Sequence, residues 1–217
     1  GKLHMTYLEI VNRVLRRLRE AEVGSVNENT YSTLIGDLVN AVKNEVENSY
    51  NWSVLRQTLS TSTATDVFNY TLSGSGTRFK VLDVVNDTSN WFMKERSSSW
   101  FNRQFLLVDP QKAAPQFYNY NGVNSSGDTQ IDVYPIPDGV YDIRFNVILP
   151  QAELENDTDV IKVNAQLVVE GALSRAISER GSDGGNQEQE MRYRNMLADL
   201  IAIEANNRPD EITWYTN

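Results

Sequence analysis

Two hydrophobic periodicities alternate along the chain, and the points where they change predict its organisation. Apolar residues recur at three- and four-residue steps in residues 5–20 and again in residues 31–50, as on the buried face of an amphipathic helix. From residue 54 to about residue 150 apolar and polar positions alternate, which is typical of half-buried strands. The helical period returns in residues 164–181 and 186–206. The predicted order is therefore helix, helix, β block, helix, helix.

This order predicts an α+β fold, because amphipathic helices can remove their apolar stripes from water by packing against one another. The two N-terminal and the two C-terminal helices are expected to form a four-helix bundle, and the β block is expected to be an inserted antiparallel β domain. The predicted bounds are residues 5–53 plus 160–206 for the helical bundle, 54–150 for the β domain and 207–217 for a C-terminal tail.

Residues with short polar side chains mark the predicted helix ends. Thr6 and Asn164 are placed to accept hydrogen bonds from the first turns of their helices, and Ser32 or Thr33 is expected to do the same for the second helix. Gly181 is expected to end the third helix, since glycine readily takes a left-handed conformation there.

Trp52 lies where the second helical pattern gives way to the first strand pattern. A buried indole removes a large apolar area from water, so a Trp at this joint is interpreted as part of the core. A ligand-stacking role is the less favoured alternative.

Turn residues divide the β block into strand candidates. The clearest pair lies in IDVYPIPDGVYDIRFNV, which alternates on both sides of Pro137 and Gly139 and predicts a β-hairpin. The strand candidates are residues 54–63, 67–72, 78–86, 90–96, 101–108, 116–120, 130–135 and 141–149.

Composition excludes several kinds of chemistry. The chain has no Cys and one His, His4. Without Cys there is no thiol catalysis and no Cys-based metal site, and a single His disfavours general base catalysis by His. No cofactor is predicted. A carboxylate-based glycan hydrolase remains an alternative, but the spacing of its candidate residues singles out no catalytic pair. These residues are Asp83, Asp87, Asp132 and Asp142.

The charge points away from nucleic-acid binding, and it favours a packed core over a stacking platform for single-stranded nucleic acid or sugar as the role of the aromatic residues. A net charge of −9 disfavours a surface that must displace counterions from DNA. Aromatic residues are dense in the β block and are interpreted as its core, although a carbohydrate- or receptor-binding module that uses them is an alternative. The apolar runs are too short for a transmembrane helix, and no membrane partner is expected.

Taken in order, these features resemble the head-to-tail adaptor proteins of tailed bacteriophages with short tails, of the tail tubular protein A or gatekeeper type. The resemblance is carried by the paired N-terminal helices, the joint ENSYNWSVLRQTL, the stretch IDVYPIPDGVYDIRFNV and the C-terminal stretch KVNAQLVVEGALSRAISERGSDGG. It covers residues 5–206.

The resemblance implies a virion structural protein rather than an enzyme. Such an adaptor is expected to bind below the portal protein as a dodecameric ring, to extend the channel through which DNA passes without specific binding, and to offer a docking surface to the tail nozzle or tube protein. It would be synthesised in the cytoplasm of the bacterial host and would reside at the head-to-tail junction of the virion.

The resemblance also suggests contact residues at three places. The C-terminal tail would contact the portal through Arg208, Trp214 and Tyr215. A segment after a serine run would face a tail component through Trp100, Phe101 and Arg103. The polar face of the first helix carries Arg13, Arg16 and Arg17, which would meet acidic side chains of a neighbouring subunit; a solvated helix face is the alternative interpretation.

Overall fold

The structure is a computed structural model that describes residues 4–181 and 185–207. The chain divides into two compact units, a helical unit of Gly1–Leu55 with Pro150–Asn217 and a β unit of Arg56–Leu149. The two N-terminal and two C-terminal helices pack together, and two four-stranded sheets are inserted between them in the sequence. The predicted α+β fold is confirmed.

The elements have the following bounds. The helices are α1 (Tyr7–Arg17), α2 (Thr30–Ser49), α3 (Ser98–Phe105), α4 (Ala165–Glu179) and α5 (Gly185–Asn207), with a 3-10 turn at Ser53–Leu55. The strands are β1 (Arg56–Ser62), β2 (Asn69–Thr71), β3 (Lys80–Asn86), β4 (Trp91–Phe92), β5 (Lys94–Glu95), β6 (Phe117–Val123), β7 (Thr129–Tyr134) and β8 (Asp142–Ile148).

In the helical unit, α4 is the central element and packs against α1, α2 and α5. Gly171 lies where α4 meets two of its neighbours. A Cβ added to Gly171 would lie 2.6 Å from Val42 Cγ1 on α2 and 2.9 Å from Tyr193 Cε2 on α5. The absence of a side chain at Gly171 therefore allows three helices to approach closely.

The helix caps agree with the sequence except at α2. Thr6 and Asn164 cap α1 and α4 as predicted. The prediction of Ser32 or Thr33 at the start of α2 was wrong, because Asn29 is the N-cap and its side chain accepts a hydrogen bond from the Ser32 main chain at 2.8 Å. The Ser32 hydroxyl accepts one from the Asn29 main chain at 3.2 Å, so the two residues form a reciprocal capping box.

Two residues at the ends of the helical segments behave as predicted. Gly181 follows the last residue of α4 and its cap with a φ of 65°, which glycine adopts without strain. Trp52 is buried, and its indole Nε1 donates a hydrogen bond to the main-chain oxygen of Val46 at 2.7 Å. The core interpretation of Trp52 is therefore confirmed.

A buried ion pair crosses the apolar face of α2. Lys43 and Glu47, one helical turn apart, have side chains with no exposed surface, and Lys43 Nζ lies 2.6 Å from Glu47 Oε1. Lys43 Nζ also donates to the main-chain oxygen of Gln151 at 2.9 Å, and Glu47 Oε2 accepts from the Gln151 main-chain nitrogen at 2.6 Å. The pair therefore fixes α2 to the segment that precedes α4.

In the β unit, the strands are ordered β1-β8-β3-β4 in one sheet and β2-β7-β6-β5 in the other. The pairs are antiparallel except for β5 and β6, which run parallel. Side chains from both sheets share one core: Leu72, Val84, Met93, Tyr118, Ile131, Val133, Ile143, Phe145 and Val147.

The predicted hairpin in IDVYPIPDGVYDIRFNV was wrong. Its two arms, β7 and β8, belong to different sheets. Between the arms, Ile136 pairs with the segment before β6, donating to the Gln111 oxygen and accepting from the Ala113 nitrogen, each at 3.0 Å. Pro135 and Pro137 flank Ile136 and have no N–H to donate, so an antiparallel ladder cannot continue through them.

Two of the strand candidates need correction. Residues 90–96 form two short strands, β4 and β5, that belong to different sheets. Residues 101–108 are not a strand, because α3 begins at Ser98 and extends to Phe105. The Ser97 side chain accepts a hydrogen bond from the Trp100 nitrogen at 3.2 Å, which caps the first turn of this helix.

Candidate interaction surfaces

The predicted tail-contact residues lie on α3, and they differ in exposure. Phe101 is 1% exposed and packs edge-on against Phe105 and Tyr134. Trp100 is half-buried, while Arg103 is exposed. As α3 is folded, Arg103 presents its side chain to a partner and Phe101 does not.

An exposed apolar tip of three residues follows α3. Leu106, Leu107 and Val108 have relative exposures of 83%, 52% and 105%. Leu106 ends α3 as its C-cap, and the next two residues lie in a bend of the chain. The sequence pattern missed this surface because five apolar residues within eight were interpreted as a strand. The Ser97 cap and the four-residue step from Phe101 to Phe105 are the signals that indicate a helix ending in a tip.

A second surface lies beside the short edge strands β4 and β5. Here a shallow groove of about 370 Å³ is bordered by exposed Trp91 and Phe92 and by Lys94, Arg96 and Phe117. The Arg96 guanidinium stands 4.9 Å from the centre of the Phe117 ring, within cation–π range. Most of the other aromatic residues of the β block are buried or half-buried, in agreement with the core interpretation.

Arg17, on the polar face of α1, is bound within its own chain. Its guanidinium lies 2.6 Å from Glu170 Oε1 on α4. Burial raises the pKa of the Glu170 carboxyl, but hydrogen bonds from Arg17, Gln189 and Gln166 outweigh that effect and hold the pKa below its usual value. Arg17 therefore joins α1 to α4 in the single chain.

The other two arginines of α1 also have partners in the helical unit. Arg16 lies 2.6 Å from Glu22 Oε1, and both side chains are exposed. Arg13 donates to Gln166 Oε1 on α4 at 3.4 Å. Arg16 is thus the most accessible of the three, and its exposed pair with Glu22 costs little to exchange for another acidic partner.

Residues 5–215 match the sequence model of the SU10 adaptor protein family. The chain belongs to the SU10 adaptor protein family. It is a phage head-to-tail adaptor, a structural component of the virion and not an enzyme. No curated protein matches the chain.

The carboxylates that the sequence left open as hydrolase candidates have structural partners in this adaptor. Asp87 pairs with Arg144 at 3.1 Å, and Asp142 accepts a hydrogen bond from the Ser62 hydroxyl at 2.6 Å. Asp132 accepts from two asparagine side chains, at 2.7 Å and 3.0 Å, and Asp83 accepts from a third. Within residues 4–181 and 185–207 there is no cluster of potential metal ligands and no helix long and apolar enough to span a membrane.

The predicted portal-contact residues of the adaptor, Arg208, Trp214 and Tyr215, lie outside the described residues. The two aromatic residues are separated from the end of α5 by fewer than ten residues. The family model extends to residue 215, so this segment belongs to the region shared with the family.

Proposed function

We propose that this adaptor binds below the portal protein as a dodecameric ring, extends the DNA channel and provides the docking surface for the tail nozzle. The observation that carries the proposal is the match to the adaptor family over nearly the whole chain. The net charge of −9 supports it, because a channel that passes DNA must not hold it by counterion release.

For the tail contact, we favour the exposed tip of α3, residues 106–108, together with Arg103. An exposed run of large aliphatic residues loses contact with water when a partner covers it, and such patches often mark protein interfaces. Arg103 adds a charged contact in the last turn of α3. Trp100 lies behind this surface, where its ring packs against Phe117 with centroids 5.0 Å apart.

For the other contacts, the proposal keeps the assignments made from the sequence. Arg208, Trp214 and Tyr215 would bind the portal. Of the arginines on α1, Arg16 best fits a contact with a neighbouring subunit, because its side chain is exposed and its pair with Glu22 lies at the surface.

Electron microscopy tests the central claim. The purified chain would be imaged alone and after mixing with purified portal from its source particle. Rings that cap the portal are the expected result. Absence of any association with the portal would contradict the adaptor position proposed here.

Two matched pairs of variants test the contacts. Arg16→Glu should weaken ring formation on the portal, while Arg192→Glu, a similarly exposed arginine on α5, should not. Leu107→Ser with Val108→Ser should reduce binding of the nozzle protein to portal-bound rings, while Val140→Ser, another exposed aliphatic residue of the β unit, should not. Equal effects of test and control variants would refute the corresponding contact.

A further inference from the structure

An apolar groove of about 350 Å³ opens on the helical unit where α2 ends, α4 begins and α5 approaches its last turn. This volume lies at the low end of the range for ligand pockets, about 300–1,000 Å³. The groove, which we call the α5 groove, has aliphatic and aromatic walls: Val46, Trp52, Val54, Leu167, Leu200 and Ile203.

The walls of the α5 groove leave apolar surface in contact with water. Val54 and Ile203, which both line the groove, have exposed fractions of 57% and 55%. Ile203 lines the groove, yet the described residues leave about half of its surface exposed. A contiguous apolar surface of this kind is typical of a site that another segment occupies.

The C-terminal segment of the same chain starts beside the groove. Ile203 lies four residues before the end of α5, a helical distance of about 6 Å. Pro209 follows α5 closely and cannot continue it, so the chain can change direction there. From Asn207 to Trp214 there are seven residues, which span up to about 25 Å when extended. This length exceeds the distance back to Ile203 several-fold, so the segment is long enough for Trp214 to reach the groove.

The pattern of the C-terminal segment suits the groove. The groove lining includes His4, Lys162 and Glu204 beside the apolar walls, so its charged groups balance. The C-terminal segment carries Asp210 and Glu211 just before its apolar residues Ile212, Trp214 and Tyr215. In the bound segment the aromatic residues would face the apolar walls, and one of the two acidic residues would pair with Lys162.

We propose that, in the free adaptor, the α5 groove binds the C-terminal segment of its own chain through Trp214. The indole would cover Ile203 and Val54 and remove both from water. A segment held in this way is not available to the portal, so binding of residues 208–217 to the portal requires them to leave the groove. The proposal concerns the free chain and does not depend on the portal contact.

Disulfide trapping tests the proposal directly, because the chain has no native Cys. One Cys replaces Val54 on the groove wall, and a second replaces Thr213 or, in turn, Thr216, which flank the aromatic pair. The control replaces Met191 instead of Val54. Met191 is exposed on the same helix as Ile203 but lies twelve residues, about 18 Å, further from its end.

Mild oxidation of the dilute full-length variants should close an intramolecular disulfide with Val54→Cys at least about tenfold faster than with Met191→Cys. Mass spectrometry and non-reducing electrophoresis distinguish closed monomers from linked dimers. Adding Trp214→Ser should reduce the rate with Val54→Cys to that of the control, without affecting folding. Equal rates for the two positions, a product that is mainly dimer, or no effect of Trp214→Ser would each overturn the proposal.

Discussion

The buried Lys43–Glu47 pair offers a sharp test of how the helical unit is stabilised. Both side chains are withdrawn from water and bind each other as well as the main chain of Gln151. In Glu47→Gln the shape is nearly kept, but the Lys43 ammonium remains buried without a counter-charge. In Lys43→Met the Glu47 carboxylate remains, with the Gln151 N–H as its neutral donor.

The expected magnitudes follow from the desolvation of the two charges. Removing one partner of a buried ion pair costs about 3–5 kcal/mol, because the other charge is left without compensation. Combining the same two substitutions, Lys43→Met with Glu47→Gln, removes both charges and leaves the main-chain oxygen of Gln151 without its Lys43 donor, at about 1–3 kcal/mol. The double variant should therefore lose less stability than the two single variants combined, with a coupling energy of about 3 kcal/mol or more.

Urea denaturation, monitored by circular dichroism at the helical band, measures the free energy of unfolding of each variant in a double-mutant cycle over the two positions. For a chain of this size, a loss of 3–5 kcal/mol lowers the melting temperature by about 6–20 °C. Glu188→Gln is the matched control, since Glu188 and Arg192 form an exposed pair at the same spacing and should contribute less than about 1 kcal/mol. Additive single effects below about 1 kcal/mol would refute the claim that the Lys43–Glu47 pair is desolvated.

Three further predictions concern packing and pH. Gly171→Ala should cost about 1–3 kcal/mol in urea denaturation because its Cβ would overlap the neighbouring helices, while Gly185→Ala, with nothing within 4 Å of the added Cβ, should be neutral. The pKa of Glu170 in the folded chain lies below its usual 4.5, so the ionised carboxylate stabilises the fold above that pH, and this stabilisation is lost as the pH falls through the lowered value. Between pH 5 and 3 the melting temperature of Glu170→Gln should therefore fall less steeply than that of the unchanged chain. Phe101→Ala should cost about 3–5 kcal/mol and Phe92→Ala, at an exposed position, less than about 0.5 kcal/mol, and equal losses on denaturation would contradict the burial of Phe101.

The helical part of the fold could be predicted because its periodicity extends over several turns. In α1 and α2 the apolar positions recur for eleven and twenty residues, long enough to identify a helix and its buried face. The N-cap of α2 was misassigned because Asn29, Ser32 and Thr33 are all residue types that cap helices. Which of them is the N-cap depends on where the first turn begins, since its main-chain N–H groups have no acceptor within the helix. The burial of Glu47 could not be predicted, since its partner at Gln151 is distant in sequence.

The β unit shows where local pattern becomes insufficient. Alternation identifies β7 and β8 correctly but does not say that they belong to different sheets, because that depends on pairing with distant strands. Residues 101–108 have apolar positions that fit both a strand and a short helix. The helix is favoured by two contacts, the Ser97 side chain that caps its first turn and the packing of Phe101 against Tyr134. The exposed tip at residues 106–108 follows from that choice and so escaped prediction.

The pairing of the α1 arginines inside the chain changes how a charge-reversal experiment should be interpreted. Arg17→Glu would place two carboxylates next to each other at Glu170, so it would weaken the α1–α4 contact in a single chain before any ring forms. Loss of rings in that variant would therefore not identify a subunit interface. Arg16→Glu disturbs the exposed contact with Glu22 and a favourable charge in the last turn of α1, both of which contribute little to the single chain. A ring defect in Arg16→Glu with an unchanged unfolding curve is the combination that assigns this face to a neighbouring subunit.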